Sequence, residues 1–356
     1  MKTHKTLIAI AAALVCSGPA RALETHIGDI AVQADTRFTL GAAWRVESND
    51  PDRIGIGNGG NAYSNNADDA ELAFESGDIV SAAAKLTSDL TLSRGRFGVF
   101  MRGSYLFNER LNDYSFFNSD NYYTPTPGVP DPGVGPRPND PTRFSVAPID
   151  EYRRRTNRVQ DFVGNDADLL DAYVYGAIDI GNRELAFKLG RQVVNWGEST
   201  FILNGINSLL AFDGNQLRVP GADIDEVIKP LAMAWLSMGL WDGVSAEAFY
   251  QFDWQRSDPD APGTYWSTND FVGVGGTRAF ITFGLPPENT PNTTIPRAPD
   301  NEPPKSGQFG GKLSFLVESL NSMDISLYAM QYHSRLPLVS GISKASFAST
   351  SETGNF

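Results

Sequence analysis

Three sets of side chains in this sequence could do chemistry: a Ser–His pair, groups of acids, and charges set in an apolar loop. His333 and Ser334 are neighbours, and a histidine beside a serine is the minimum for nucleophilic hydrolysis. In an extended run adjacent side chains point to opposite faces, so these two are badly placed to share a proton. His26 lies before the first clear strand. No enzyme activity and no catalytic residue is expected. Asp68, Asp69 and Glu71, and farther on Asp258 and Asp260, offer hard oxygen ligands. Their spacing matches no calcium loop, and no metal or cofactor is expected. Arg153, Arg154, Arg155 and Arg158 could grip lipopolysaccharide phosphates, although a solvated basic stretch balancing nearby acids is the simpler reading.

The charges set in an apolar loop are the most informative. Between residues 196 and 230 the chain mixes Phe201, Ile202, Leu203, Leu209, Leu210 and Phe212 with Arg218, Asp223, Asp225, Glu226 and Lys229. An exposed loop gains nothing from Leu-Leu-Ala-Phe at 209–212, so these residues must pack somewhere. Packed inside a barrel they would narrow it and set opposite charges across the passage, where charge rings give selectivity. The alternative is an external lid with no role in selection. Arg191, Trp196, Glu198, Arg218, Asp223 and Glu226 are the candidate constriction residues.

The elements that would position them are strands. Apolar and polar or small residues alternate with period two in Asp35 to Val46, Val80 to Leu92 and Phe97 to Asn108. The same holds for Asp171 to Ile180 and for the run that begins near Leu185. Farther on, Leu231 to Leu240, Val244 to Gln255, Lys312 to Glu318 and Ile325 to Tyr332 complete about nine strands. In the first of these, Phe38, Leu40, Ala42 and Trp44 oppose Arg37, Thr39 and Arg45, so the second face needs water. In Val244 to Gln255, Tyr250, Phe252 and Trp254 are expected outward and Glu247, Gln251 and Gln255 inward. Connections alternate long and short, with tight turns near 94, 182, 242 and 321. Short turns at one end and long external loops at the other are the signature of a transmembrane antiparallel up-and-down β-barrel. The long external loops would be 47–78, 109–168, 196–230 and 256–308, and the Pro-rich ones after the third and seventh strands look dispensable. An odd strand count, with the polar tail Lys344 to Phe356 unlike a closing strand, leads us to expect the N-terminal portion of a larger barrel.

Bulk properties agree. The chain has 356 residues and a net charge of −13, which argues against nucleic acid. Lys2 and Lys5, the apolar run Leu7 to Val15 and Ala20-Arg21-Ala22 read as a cleavable secretory signal over residues 1–22. Removing Lys2, Lys5 and Arg21 takes the net charge from −13 to −16. Cys16, the only cysteine, falls inside that signal, so the mature chain would have no thiol chemistry. No apolar run is long enough for a helical span, so a membrane location would have to be a barrel.

The run Lys188-Leu189-Gly190-Arg191-Gln192-Val193-Val194-Asn195-Trp196-Gly197-Glu198-Ser199, with Gly205-Ile206-Asn207 and Leu217-Arg218-Val219-Pro220-Gly221-Ala222, resembles the hallmark of the proteobacterial "domain of unknown function 1302" family. Tyr332 to Pro337 resembles a second signature of that family. The resemblance implies an outer-membrane barrel, generally longer than this chain. It implies an association with breakdown of hydrophobic compounds such as sterols, a periplasmic lipid-carrier-like partner and an inner-membrane exporter. It supplies no catalytic residues. The expected function is an outer-membrane channel or transporter for hydrophobic or amphipathic small molecules, and the alternative is a structural or adhesive surface protein.

Overall fold

The structure is a computed structural model that describes residues 23–112, 122–123, 144–145, 158–196, 206–276, 278–281, 283–284 and 294–341. The expected signal at 1–22, Arg153 to Arg155, Glu198 and the tail at 344–356 lie outside the described residues.

Alternating side chains build one antiparallel sheet of ten strands in simple sequence order. They are β1 (Leu23–Ile27), β2 (Ile30–Trp44), β3 (Ile79–Arg94), β4 (Phe97–Asn108) and β5 (Asn165–Ile180). After these come β6 (Arg183–Gln192), β7 (Leu231–Trp241), β8 (Val244–Gln251), β9 (Gln308–Val317) and β10 (Met323–Gln331). Ten strands replace the expected nine because Leu23–Ile27 pairs back onto Ile30–Ala34 around Gly28 and Asp29. Five residues next to an expected cleavage site carry too short an alternation to be read as a strand. Among the described residues, no ladder joins β10 to β1. No helix there is long and apolar enough to cross a membrane, and the helices are single turns such as Asp69–Ala73 and Ile224–Val227.

Register gives the sheet two unlike faces. Rows such as Phe38–Leu86–Tyr105 and Val174–Leu189 run across adjacent strands on one face, and all of these side chains are exposed. On the other face run Arg37–Thr87–Ser104, Tyr175–Lys188–Trp235 and Glu247–Lys312–Tyr328. Because side chains alternate, a one-residue slip would exchange the faces, so this contrast also holds the register.

The tight turns Gly28-Asp29, Gly95-Arg96, Gly181-Asn182, Asp242-Gly243 and 318–322 all sit at one end. At the other end the long connections pack on one another. Phe74, Val80, Leu111, Val159, Val163 and Ala261 form one buried cluster from four parts of the chain. The connection after β8, expected to be dispensable, buries Ser257, Asp258, Ala261, Thr264 and Asp270. Asp270 Oδ2 accepts the Asp68 N–H at 3.1 Å, which joins this connection to the one after β2. Trp254, expected outward, is instead buried, because β8 ends at Gln251 and the indole donates to the Ser334 carbonyl at 3.3 Å. Arg335 is buried just beyond β10. Its guanidinium donates to the Leu209 and Gln255 carbonyls and to Gln251 and Gln308 at 2.7–3.2 Å. Burial lowers its pKa to about 10, against the pull of Asp253.

The sheet contains one point of backbone constraint. Gly190 on β6 has φ +137°, and a Cβ there would meet the Ala172 carbonyl oxygen of β5 at 2.3 Å. Gly239 on β7 has open space where its Cβ would be. Gly190→Ala should therefore lower unfolding stability by about 1–3 kcal/mol, whereas Gly239→Ala should change it little. Urea unfolding followed by tryptophan fluorescence checks this, and equal effects of the two would contradict the constraint.

Candidate functional site

The connection from β6 to β7 folds on itself before it reaches the sheet. Ala211–Phe212 pairs antiparallel with Ile228–Lys229, which closes residues 213–227 into a loop. Asp213 caps the turn Gly214–Leu217 by accepting the Asn215 N–H at 2.8 Å. Asp223 precedes the turn Ile224–Val227, and the Glu226 carboxylate reaches back to the Asp223 N–H at 3.2 Å. The sequence between, Val219-Pro220-Gly221, meets the sheet together with the second turn.

This loop leaves β6 yet docks on β2, β3 and β4, across the polar face. Glu226 is the centre of the contact: its side chain is 3% exposed, as is that of Lys85, with which it forms an ion pair. Thr87 Oγ1 donates to Glu226 Oε1 at 2.5 Å and Arg37 Nη2 to the same oxygen at 3.0 Å. Arg37 Nη1 also holds Asp223 at 2.8 Å, and Arg102, already bidentate to Asp89, holds Asp225 at 3.0 Å. Between these charges the surfaces touch. Val219 packs on Ala83 and Leu106, and a Cβ at Gly41 would meet Pro220 Cβ at 2.4 Å. Burial pushes the Glu226 carboxyl up. Hydrogen bonds from Lys85, Thr87 and the Asp223 N–H outweigh it and bring the pKa down to about 2.

Arg218 does not face these acids. It pairs with Asp260 at 3.1 Å and lies 5.1 Å from the centre of the Trp266 ring. Lys229 and Arg256 both pair with Asp258. A cavity of about 30 Å³, room for a water or two, separates this side of the loop from Leu106, Phe162 and Tyr265. Trp196 is buried; its indole donates to Glu247 Oε2 at 2.8 Å, and its ring packs on Phe249 and Tyr328.

Of the candidate residues, then, Asp223 and Glu226 come together on β2 and β3, Arg218 is held by the next connection, and Trp196 lies on β8 and β10. Arg191 belongs to none of these groups. It pairs in register between Ala172 and Ala232, and the period of two sets it with Leu185, Phe187 and Leu189 on the apolar face. Sequence reasoning named the loop's acids but not their receivers, Arg37, Lys85, Thr87 and Arg102. These were legible only as polar residues on strand faces, because the loop skips β5 to reach them. Asp68, Asp69 and Asp270 converge with carboxylate oxygens within 4.8 Å, and Asp68 Oδ2 accepts from Gly55 and Asn58. Glu71 pairs with Arg45 instead. His333 uses its backbone N–H on Gln308, and His26 is exposed on β1.

Comparison with known proteins gives one match: residues 3–356 fit the family described as "Protein of unknown function (DUF1302)". The chain belongs to the DUF1302 family. No curated protein and no solved structure matches it.

The low pKa of Glu226 makes a pH prediction. A carboxylate at about 2 when docked, against 4.5 when free, stabilises docking fully above pH 4.5 and stops doing so as pH falls through about 2. The gain is on the order of 3 kcal/mol. Glu226→Gln should expose residues 206–230 to protease at neutral pH, and should flatten the acid-induced loss of protection between pH 4.5 and 2. An unchanged acid profile would contradict the assignment.

Proposed function

We propose that this chain forms the wall of an outer-membrane channel or transporter for hydrophobic or amphipathic small molecules, lipid- or sterol-like in class. The carrying observation is the docked loop: an ordered, charge-locked segment lies over the polar face of a sheet whose other face is apolar and exposed. Curling such a sheet about its polar face makes a barrel, puts the apolar face toward lipid and places the loop in the passage. Strand length supports the reading. β2, β3 and β5 have 15, 16 and 16 residues, and a tilted strand crosses a bilayer in about 9–11. Exposed aromatics near strand ends, among them Trp44, Phe97, Trp241 and Phe252, supply interfacial anchors.

In this reading residues 1–22 direct export across the inner membrane, and the protein meets outer-membrane lipid and lipopolysaccharide. A periplasmic carrier and an inner-membrane exporter would handle the same cargo on the other side. The residues named do binding and positioning, not bond chemistry.

The test is conductance and growth together. Reconstituted Glu226→Gln, or Lys85→Gln, should conduct more than the parent because the loop releases. A deletion strain should fail on sterols or fatty acids and grow normally on polar carbon sources. No growth defect, together with loss of surface attachment, would overturn this reading in favour of an adhesive protein.

A further inference from the structure

The polar face of the strands carries five cations among the described residues, and four of them have carboxylate partners. Arg37 pairs with Asp223 and Glu226, Lys85 with Glu226, Arg102 with Asp89 and Asp225, and Lys312 with Glu247. The fifth is Lys188, midway along β6. Among the described residues no carboxylate oxygen comes within 4 Å of its Nζ; what stands there are rings. The ammonium is 5.1 Å from the centre of Tyr173 and 5.5 Å from that of Trp235. Its register partners on the two neighbouring strands are Tyr175 and Trp235. Lys188 and the three rings are half-buried, so water and solutes reach them.

Beyond Lys188 the wall sets rings around the Glu247–Lys312 pair. The indole N–H groups of Trp196 and Trp235 both go to Glu247 Oε2, at 2.8 and 3.2 Å, and Lys312 takes the other oxygen at 3.4 Å. Trp196, Phe249 and Met233 are buried there, and the half-buried Leu210, Trp235, Tyr328 and Met330 pack against them and form the accessible apolar surface. From β6 to β10 this surface runs across four strand spacings, roughly 19 Å at about 4.8 Å each, the span of a single acyl chain.

We propose that Lys188, framed by Tyr173, Tyr175 and Trp235, is the headgroup site for a monoanionic amphiphile, with the apolar body lying along the half-buried Trp235, Met330 and Tyr328. The inference rests on reading this face as the wall of a passage. Asp171, on the same face of β5, lies within electrostatic reach of Lys188 but does not contact it; the aromatic frame favours the cation without neutralising it, so the place against the ammonium is open to a headgroup beside the rings that an attached apolar body needs. A polar solute finds the charge and wastes the wall. A neutral lipid finds the wall and leaves the ammonium unmatched.

The experiment is equilibrium dialysis of the full purified chain in nonionic detergent with radiolabelled dodecanoate. Dodecanol, butyrate and dodecyltrimethylammonium serve as competitors, and liposome permeation is measured on the same preparations. Dodecanoate should bind, and each competitor should displace it at least about tenfold less well than unlabelled dodecanoate. Lys188→Gln should weaken binding about tenfold or more, while Lys188→Arg, which keeps the charge and controls for folding, should stay within about threefold. Equal binding by Lys188→Gln, or equal competition by dodecanol or butyrate, would overturn the site. If the parent passes apolar solutes but Lys188→Gln binds dodecanoate normally, the headgroup site falls and the passage stands. If binding depends on Lys188 but nothing permeates, the site stands and the passage falls.

Discussion

One buried carboxylate fixes where the β6–β7 connection lies. Glu226 is taken out of water against β3, and a lone carboxylate there would cost several kcal/mol. It is matched by Lys85, Thr87, Arg37 and the Asp223 N–H. The match works both ways, since lifting the loop would strand Lys85, which is equally buried. The interaction also demands a particular backbone. Pro220 and Gly221 come close enough to β2 that Gly41 has no room for a side chain. Asp223 must end the preceding turn so that Glu226 points at the sheet.

The same constraint organises what surrounds it. Because the loop returns to β2–β4, Arg218 after its first turn and Lys229 at its end are left to Asp260 and Asp258, which draws in the connection after β8. That connection in turn packs Ala261 beside Phe74 and anchors Asp68 through Asp270. Arg335 ties Leu209, at the start of the loop, to Gln251 and Gln308 on β8 and β9. The end bearing the long connections is one interlocked layer on a sheet whose opposite face stays apolar.

The strands were legible because a period of two survives in residue order: Phe97–Asn108 and the Asp242-Gly243 hairpin are where the pattern puts them. β1 is too short for its alternation to show. Arg191 departs from its expected place in the constriction because the ladder runs on to Gln192, with Gly190 taking the φ of +137°. Trp254 departs for the opposite reason, since the pattern continues past Gln251 while the strand does not. That the loop must pack somewhere followed from Leu209, Leu210 and Phe212. Where it packs depends on Arg37, Lys85 and Thr87, more than a hundred residues away, and no local period encodes such a pairing. The buried glutamines around Arg335 carried no signal at all, for a glutamine on a strand reads as a solvated residue.

The most direct test of the docked loop uses the rarity of cysteine in this chain. With Cys16→Ser as background, Ala83→Cys on the polar face of β3 and Val219→Cys in the loop belong to one packed cluster. Mild oxidation of intact cells should cross-link that pair rapidly. The pair Ala84→Cys with Val219→Cys, whose strand cysteine points to the other face, should stay reduced. A cross-link in neither pair, or equally in both, would contradict a loop held on the polar face of the sheet.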